Sequence, residues 1–276
     1  MSWFEAVVLG VVQGLTEFLP ISSSAHLRIV GEVFGWDDPG AAFTAITQIG
    51  TELAVLVYFR HDIWRILVAF FGSLAGRRKN DPDARMGWLI IVGSIPIVIL
   101  GLLFKDSIET TLRDLRIVAI ALVVFSLILY WADRVGAKRR ELEDLTVAHG
   151  IAYGLAQAMA LIPGVSRSGG TITMGLFLGY TREAAARYSF LLAIPAVLGS
   201  GLYEAYKGLK GDVAGPQVDW PPTILATVLA FGVGLSVIAW LLRYLTRGSF
   251  TPFVVYRIVV GLLVLALVGF GVLSPT

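Results

Sequence analysis

"LTEFLPISSSAH", residues 15–26, decides how this chain is read. It sets a carboxylate, a proline, three consecutive serines and a histidine just after the apolar run "AVVLGVVQG". Pro20 has no amide hydrogen and disfavours helix at Leu19, so the first apolar arm is expected to stop there. A serine ahead of a new apolar run is a good helix cap. Ser22 or Ser23 should therefore start a second arm. The unpaired N–H groups of Ser23, Ser24 and Ala25 would then face the break, where a helix start favours an anion.

The device recurs as "IPGVSRSGG" at residues 162–170, 144 positions later: Gln13 falls on Gln157, Ser22 on Ser166, and Pro20 near Pro163. Here Pro163 and Gly164 break the helix, Ser166 can cap, and Gly169 and Gly170 allow close backbone approach. Arg167 adds a permanent cation whose planar fork suits phosphate.

The rest of the chain is greasy. Of its 276 residues 56% are hydrophobic and only 15% charged, with a mean hydropathy of +0.77. A soluble domain is about 25% charged, so the composition implies an integral membrane protein. A net charge of +2 gives no argument for nucleic acid, and the absence of cysteine excludes disulfide and thiolate chemistry. The start, "MSWFEAVV", lacks the basic region and cleavage site expected of a cleaved signal peptide.

Six stretches approach the roughly 20 residues needed to span a bilayer. They lie near 41–59, 87–104, 116–132, 184–205, 223–242 and 253–272. The arms near 5–19, 22–34, 147–162 and 168–180 are too short to span. The expected fold is all-α and polytopic: six transmembrane helices plus two re-entrant helix–loop–helix hairpins, in a single membrane domain with repeats over about 1–138 and 139–276. Three spans per repeat make the second copy enter from the opposite side, an inverted-topology repeat whose broken helices meet near the midplane. Fourteen Lys and Arg residues gather at one set of span ends, among them Arg60, Arg65, Arg78, Lys79, Arg140 and Arg247. Six (Arg28, Lys105, Arg113, Arg116, Lys207 and Lys210) gather at the other. By the positive-inside bias the first set is cytoplasmic, both termini lie outside, and the second hairpin enters from the cytoplasm. The basic loop at 76–85 reads as a topology signal.

If the two tips converge, helix starts, hydroxyls and Arg167 make a phosphate site. Gln13 and Glu17 share a helix face, as do Ser23 and His26. A serine needs a base to become a nucleophile. Either His26 or Glu17 can serve, the other orienting it or acting as the acid. Arg167 and the backbone N–H groups would hold developing charge. Arg257, inside the last span, is expected either to counter Glu17 or Glu52, or to contact phosphate. Glu52 itself is expected to pair with an arginine. Tyr58, Trp64, Trp88, Tyr130, Trp131, Trp220 and Tyr244 read as an interfacial belt. His26, His61 and His149 are too scattered for a zinc motif.

"QGLTEFLPISSSAH" and "PGVSRSGGT", with the late "TPFVVYR", closely resemble the signature segments of the bacterial undecaprenyl-diphosphatase family, also called bacitracin resistance proteins. That resemblance implies removal of one phosphate from undecaprenyl diphosphate, a polyprenyl lipid substrate, in the bacterial cell membrane, regenerating the carrier lipid of cell-wall synthesis from an outward-facing site. It carries Gln13 and Glu17 onto the family's acidic motif and Ser22, Ser23, Ser24 and His26 onto its serine motif, with Ser23 the expected nucleophile. Ser166, Arg167, Ser168 and Gly169 fall on its arginine motif. It also implies a divalent cation, magnesium or calcium, for which Glu17 is the one strong ligand in the first motif. Gln13 departs from the glutamate many members carry there, and Ala25 from a frequent glycine. The rival class is a transporter, a flippase of undecaprenyl phosphate using the same midplane anion site; the Ser23–His26 pair argues for chemistry. The oligomeric state, homo-oligomer included, is left open.

Overall fold

The computed structural model describes residues 1–77, 81–104, 112, 114–213 and 216–274. Arg78, Lys79, Lys105 and Arg113, counted above for orientation, lie outside the described residues. Among the described residues there is no β-strand.

Helix α1 (Trp3–Thr16) opens on a capping box: Ser2 Oγ accepts from the Glu5 amide at 3.2 Å, and the Glu5 carboxylate accepts from the Ser2 amide at 3.0 Å. It ends ahead of Pro20, and α2 (Ser23–Phe34) doubles back, so that Trp36 just beyond it meets Phe4 edge-on at 6.0 Å. Then come α3 (Gly40–Tyr58), α4 (Arg60–Leu74), α5 (Pro82–Leu103) and α6 (Leu115–Val135). The second break separates α7 (Val147–Ala158), continued by one 3₁₀ turn, from α8 (Arg167–Phe177). These arms also double back, bringing His149 Nδ1 to 2.7 Å from the Tyr180 hydroxyl. Helices α9 (Arg182–Lys210), α10 (Trp220–Leu245) and α11 (Thr251–Gly269) complete the chain.

Helices α3, α5, α6, α9, α10 and α11 are long and apolar enough to cross a membrane, and they fall where six spans were expected. Their outer surfaces are apolar: α5 and α11 bury only 22% of their most apolar windows, which suits lipid rather than water. Arms of 14 and 12 residues, such as α1 and α7, rise about 1.5 Å per residue and stop well short of a core about 30 Å thick.

The two halves interlock. Helix α1 packs on α10, α7 on α5, α3 on α9, and α6 on α11. Glycine permits the first two contacts at equivalent positions. A Cβ at Gly10 would lie 2.6 Å from the Ala226 carbonyl oxygen of α10; one at Gly154 would lie 2.5 Å from the Gly93 carbonyl oxygen of α5. Small residues of this kind let membrane helices approach backbone to backbone. The open ends of the two hairpins lie at opposite ends of α10. The N-terminal amine sits 3.6 Å from Asp219, just before α10. At the far end Asp133 accepts from Arg182 at 2.7 Å and from the Phe250 amide at 3.2 Å.

Helix α4 was not anticipated. Its first two turns carry Arg60, His61, Asp62 and Arg65, which break the apolar run and disguise "ILVAFFGSL" as connecting sequence. It packs along α5 and turns Trp64, Leu67, Phe71 and Leu74 outward, the face of an interfacial helix.

Candidate active site

Both breaks are built alike. The first bond inside α2 runs from the His26 amide to the Ser22 carbonyl at 3.2 Å; in α8 it runs from the Gly170 amide to the Ser166 carbonyl at 2.8 Å. Among the described non-glycine residues only Ser22, Ser166 and Lys138 have positive φ, and the two serines, at +75° and +71°, are the paired caps. Such backbone costs about 1–3 kcal/mol per residue and gathers at functional sites. The side chains differ from simple caps at one end. Ser166 Oγ accepts from the Gly169 amide at 3.1 Å, as a cap should. Ser22 Oγ makes no capping bond and lies 3.3 Å from Ser24 Oγ. Because Ser22 has little hydrogen bonding to lose, Ser22→Gly is expected to raise the Tm in detergent, by about 1 kcal/mol of relieved strain. Ser22→Val should lower it. A clear loss of Tm in Ser22→Gly would show that the hydroxyl outweighs the backbone.

The breaks touch. Ser168 Oγ lies 3.2 Å from the carbonyl oxygens of both Glu17 and Leu19, and 3.2 Å from Ser166 Oγ. Arg257 of α11, fully buried, donates through Nη1 to the Pro20 carbonyl at 2.9 Å and through Nη2 to those of Gly164 and Val165 at 2.8 and 3.1 Å. One guanidinium thus satisfies carbonyls that both helix breaks leave open. The bonds of Arg257 go to backbone carbonyls rather than to either carboxylate it was expected to counter, and its side chain is buried. Gly169 backs this group, since a Cβ there would meet Nη1 at 3.0 Å.

Glu17 is the hub. Its Oε2 accepts from Ser23 Oγ at 2.6 Å and from Gln13 Nε2 at 2.7 Å; its Oε1 accepts from Arg167 Nη2 at 2.7 Å. Ser23 and Arg167 are the first residues of α2 and α8 and are 144 positions apart, so two helix starts present a hydroxyl and a cation to one carboxylate. Of the two groups expected beside Ser23, Glu17 is the one its hydroxyl meets. His26 is occupied elsewhere: Nδ1 lies 2.8 Å from the Ser22 carbonyl and Nε2 2.8 Å from the Tyr256 hydroxyl. A carbonyl can only accept, so Nδ1 carries the proton and, in the neutral ring, Tyr256 donates to Nε2. His26 therefore braces the strained Ser22 from behind.

Two further residues reach the site, and one of them, Glu52, lies beside an arginine as expected. Tyr256 supports His26 across 230 positions of sequence. Glu52, 1% exposed in the middle of α3, has its Oε2 4.0 Å from Arg167 Nη1. Its Oε1, Arg167 Nη1 and Gln13 Oε1 are buried without hydrogen-bond partners, as expected of a site shaped for something it binds. Two cavities elsewhere are poorer candidates. One of about 330 Å³ is lined by Asp62, Arg65 and Arg187, which pair among themselves; the other, about 640 Å³, lies by Glu5, Trp36 and Asp219. Neither reaches Glu17.

The chain resembles known proteins over nearly its whole length. Residues 6–263 match the family described as bacitracin resistance protein BacA. The chain is 64% identical over 277 residues to the undecaprenyl-diphosphatase of Pseudarthrobacter chlorophenolicus, covering 99% of this chain and 100% of the relative. It is 60% identical over 278 residues to that of Renibacterium salmoninarum (100% and 99%), and 59% identical over 288 residues to undecaprenyl-diphosphatase 2 of Streptomyces coelicolor (100% and 98%).

Proposed function

The chain belongs to the bacitracin resistance protein BacA family, and on that footing we propose that it is a membrane phosphatase cleaving undecaprenyl diphosphate to undecaprenyl phosphate and inorganic phosphate. The observation that carries this reading is the Ser23 hydroxyl held 2.6 Å from Glu17, with Arg167 on the other oxygen of the same carboxylate. A flippase needs the cation and the helix starts but has no use for a serine paired with a base.

The terminal phosphate docks on Arg167 and the open N–H groups at the start of α2. As Ser23 Oγ bonds to the terminal phosphorus, its proton passes to Glu17 Oε2 and the bond to the lipid-bearing phosphate breaks. That phosphate, with a second pKa of about 6, leaves without needing an acid. Water then attacks the phosphoserine. Glu17 returns its proton to the departing Oγ, and the oxygen of water leaves on inorganic phosphate. Gln13 fixes the carboxylate throughout, while Arg167 and the backbone N–H groups meet the charge that develops.

A divalent cation fits the donors present. Gln13 Oε1 is a buried oxygen without a partner, next to the Glu17 carboxylate, and an all-oxygen set suits magnesium or calcium, with substrate phosphates as the remaining ligands. Bound there, it would neutralise charge on the diphosphate.

The two hairpins are read as re-entrant, entering an inverted repeat from opposite faces of the bacterial plasma membrane. The cross-packing of α1 on α10 and α7 on α5, through Gly10 and Gly154, supports that reading. By the positive-inside bias both termini and the first hairpin's open end lie outside, which leaves the prenyl tail in lipid and the diphosphate reaching the tips from the outer leaflet.

Phosphate release from undecaprenyl diphosphate by purified protein in detergent tests the proposal, with a chelator lane beside it. Turnover that falls with chelator and returns with magnesium or calcium is expected. Folded protein that releases no phosphate in any lane would overturn the phosphatase reading and direct attention to lipid transport in vesicles.

A further inference from the structure

Glu52 stands outside both break motifs. A carboxylate in the interior of a membrane protein is costly and is paired or functional. This one is only half paired: Oε2 is 4.0 Å from Arg167 Nη1, and neither Glu52 Oε1 nor Arg167 Nη1 has a hydrogen-bond partner. At that distance the contact is ionic but not a hydrogen bond. Arg167 therefore stands between two carboxylates, closed on Glu17 through Nη2 and open toward Glu52 through Nη1. The asymmetry matters because Glu17 has two partners to serve. Resting on the phosphatase reading above, Glu17 holds Arg167 while it also takes the Ser23 proton, and a carboxylate that gains a proton loses the charge that gripped the guanidinium.

We propose that Glu52 is a positioning residue for Arg167: it supplies the second counter-charge that keeps the guanidinium on the phosphate when Glu17 is engaged with Ser23. Glu52 touches no substrate atom and acts through Arg167. Its place in the fold suits that role. Glu17 and Arg167 stand at the margins of helix breaks, whereas Glu52 is held on a continuous span. Two residues before it, Gly50 lies directly against the Thr227 backbone of α10, so α3 cannot slide. Helix α3 also packs on α1, which carries Gln13 and leads into Glu17, and on α9.

A double-mutant cycle between Glu52→Gln and Arg167→Ala tests the inference. Glu52→Gln keeps the shape and removes the charge. In the wild-type background it should lower kcat/KM by about 10- to 100-fold, the range found when outer partners of binding groups are removed, and weaken competitive inhibition by inorganic phosphate by a similar factor. In the Arg167→Ala background, followed by single turnover at high enzyme concentration, it should cost less than about 3-fold, because the group it acts through is gone. Equal losses in both backgrounds would mark Glu52 as a packing residue and overturn the proposal, as would an unchanged Glu52→Gln enzyme. If the glutamine variant does not fold, Glu52→Asp keeps the charge at shorter reach and should show an intermediate loss, again only when Arg167 is present. The rise in Tm caused by inorganic phosphate supplies the same cycle without turnover. A wild type that releases no phosphate would therefore defeat the phosphatase reading while the Tm cycle still decides the Glu52–Arg167 pairing.

Discussion

Ser23→Ala is expected to lower kcat for phosphate release from undecaprenyl diphosphate by about 10³-fold or more, with little change in lipid binding. The hydroxyl is small, half-buried, and bonded only to Glu17 among its side-chain neighbours, so its removal takes away the proposed nucleophile without opening a cavity of consequence. Glu17→Gln should cost about as much, because the amide neither accepts the proton nor grips Arg167. The double variant should be little worse than either single one, since residues that act as a unit are not additive. Single-turnover kinetics measures the rate. Acid quench of the wild type with labelled substrate should trap phosphate on Ser23. An alanine variant that keeps more than a tenth of kcat would move the attack to water activated by Glu17 and remove the phosphoserine.

The residues in this prediction show what the sequence could and could not reveal. Both breaks were legible because proline and serine interrupt helix for local reasons, and the 144-residue offset sets Ser22 opposite Ser166 in the sequence itself. The same offset sets Ser23 opposite Arg167, and that is the economy of the site: equivalent first positions of two helices carry a hydroxyl and a cation, and one carboxylate bonds both. That the Ser23 hydroxyl meets Glu17 rather than His26 was not legible. Helical spacing put Ser23 and His26 on one face, but the Ser22 carbonyl and Tyr256, 230 positions away, claim both imidazole nitrogens. Glu52 was legible only as an acid in a span expected to pair with an arginine; that the arginine is Arg167, 115 positions away, was not. Helix α4 was hidden by the charges of its own first two turns. Apart from α4, the deciding contact in each case is tertiary, whereas what was read correctly depends on neighbours within one or two turns.

Arg257 is the most consequential of these tertiary contacts, and Arg257→Leu is expected to destabilise the whole site rather than weaken one step. Leucine fills part of the space but leaves the carbonyls of Pro20, Gly164 and Val165 without their donors. Each unsatisfied buried carbonyl costs about 1–3 kcal/mol, and no water reaches a group that is fully buried. The loss falls on both breaks at once, so the Tm in detergent should drop by many degrees and phosphate release should fall with it. Arg257→Lys should be intermediate, because a compact ammonium keeps the charge but cannot span carbonyls from two separate turns as the guanidinium fork does. Thermal unfolding and turnover measured on the same preparations separate the roles the last span's arginine could play. If Arg257→Leu keeps the wild-type Tm and loses only phosphate affinity, Arg257 is a substrate ligand and the tips are held by Ser168 alone. If Tm and activity fall together and lysine recovers part of each, the arginine is the tie that turns two broken helices into one anion site.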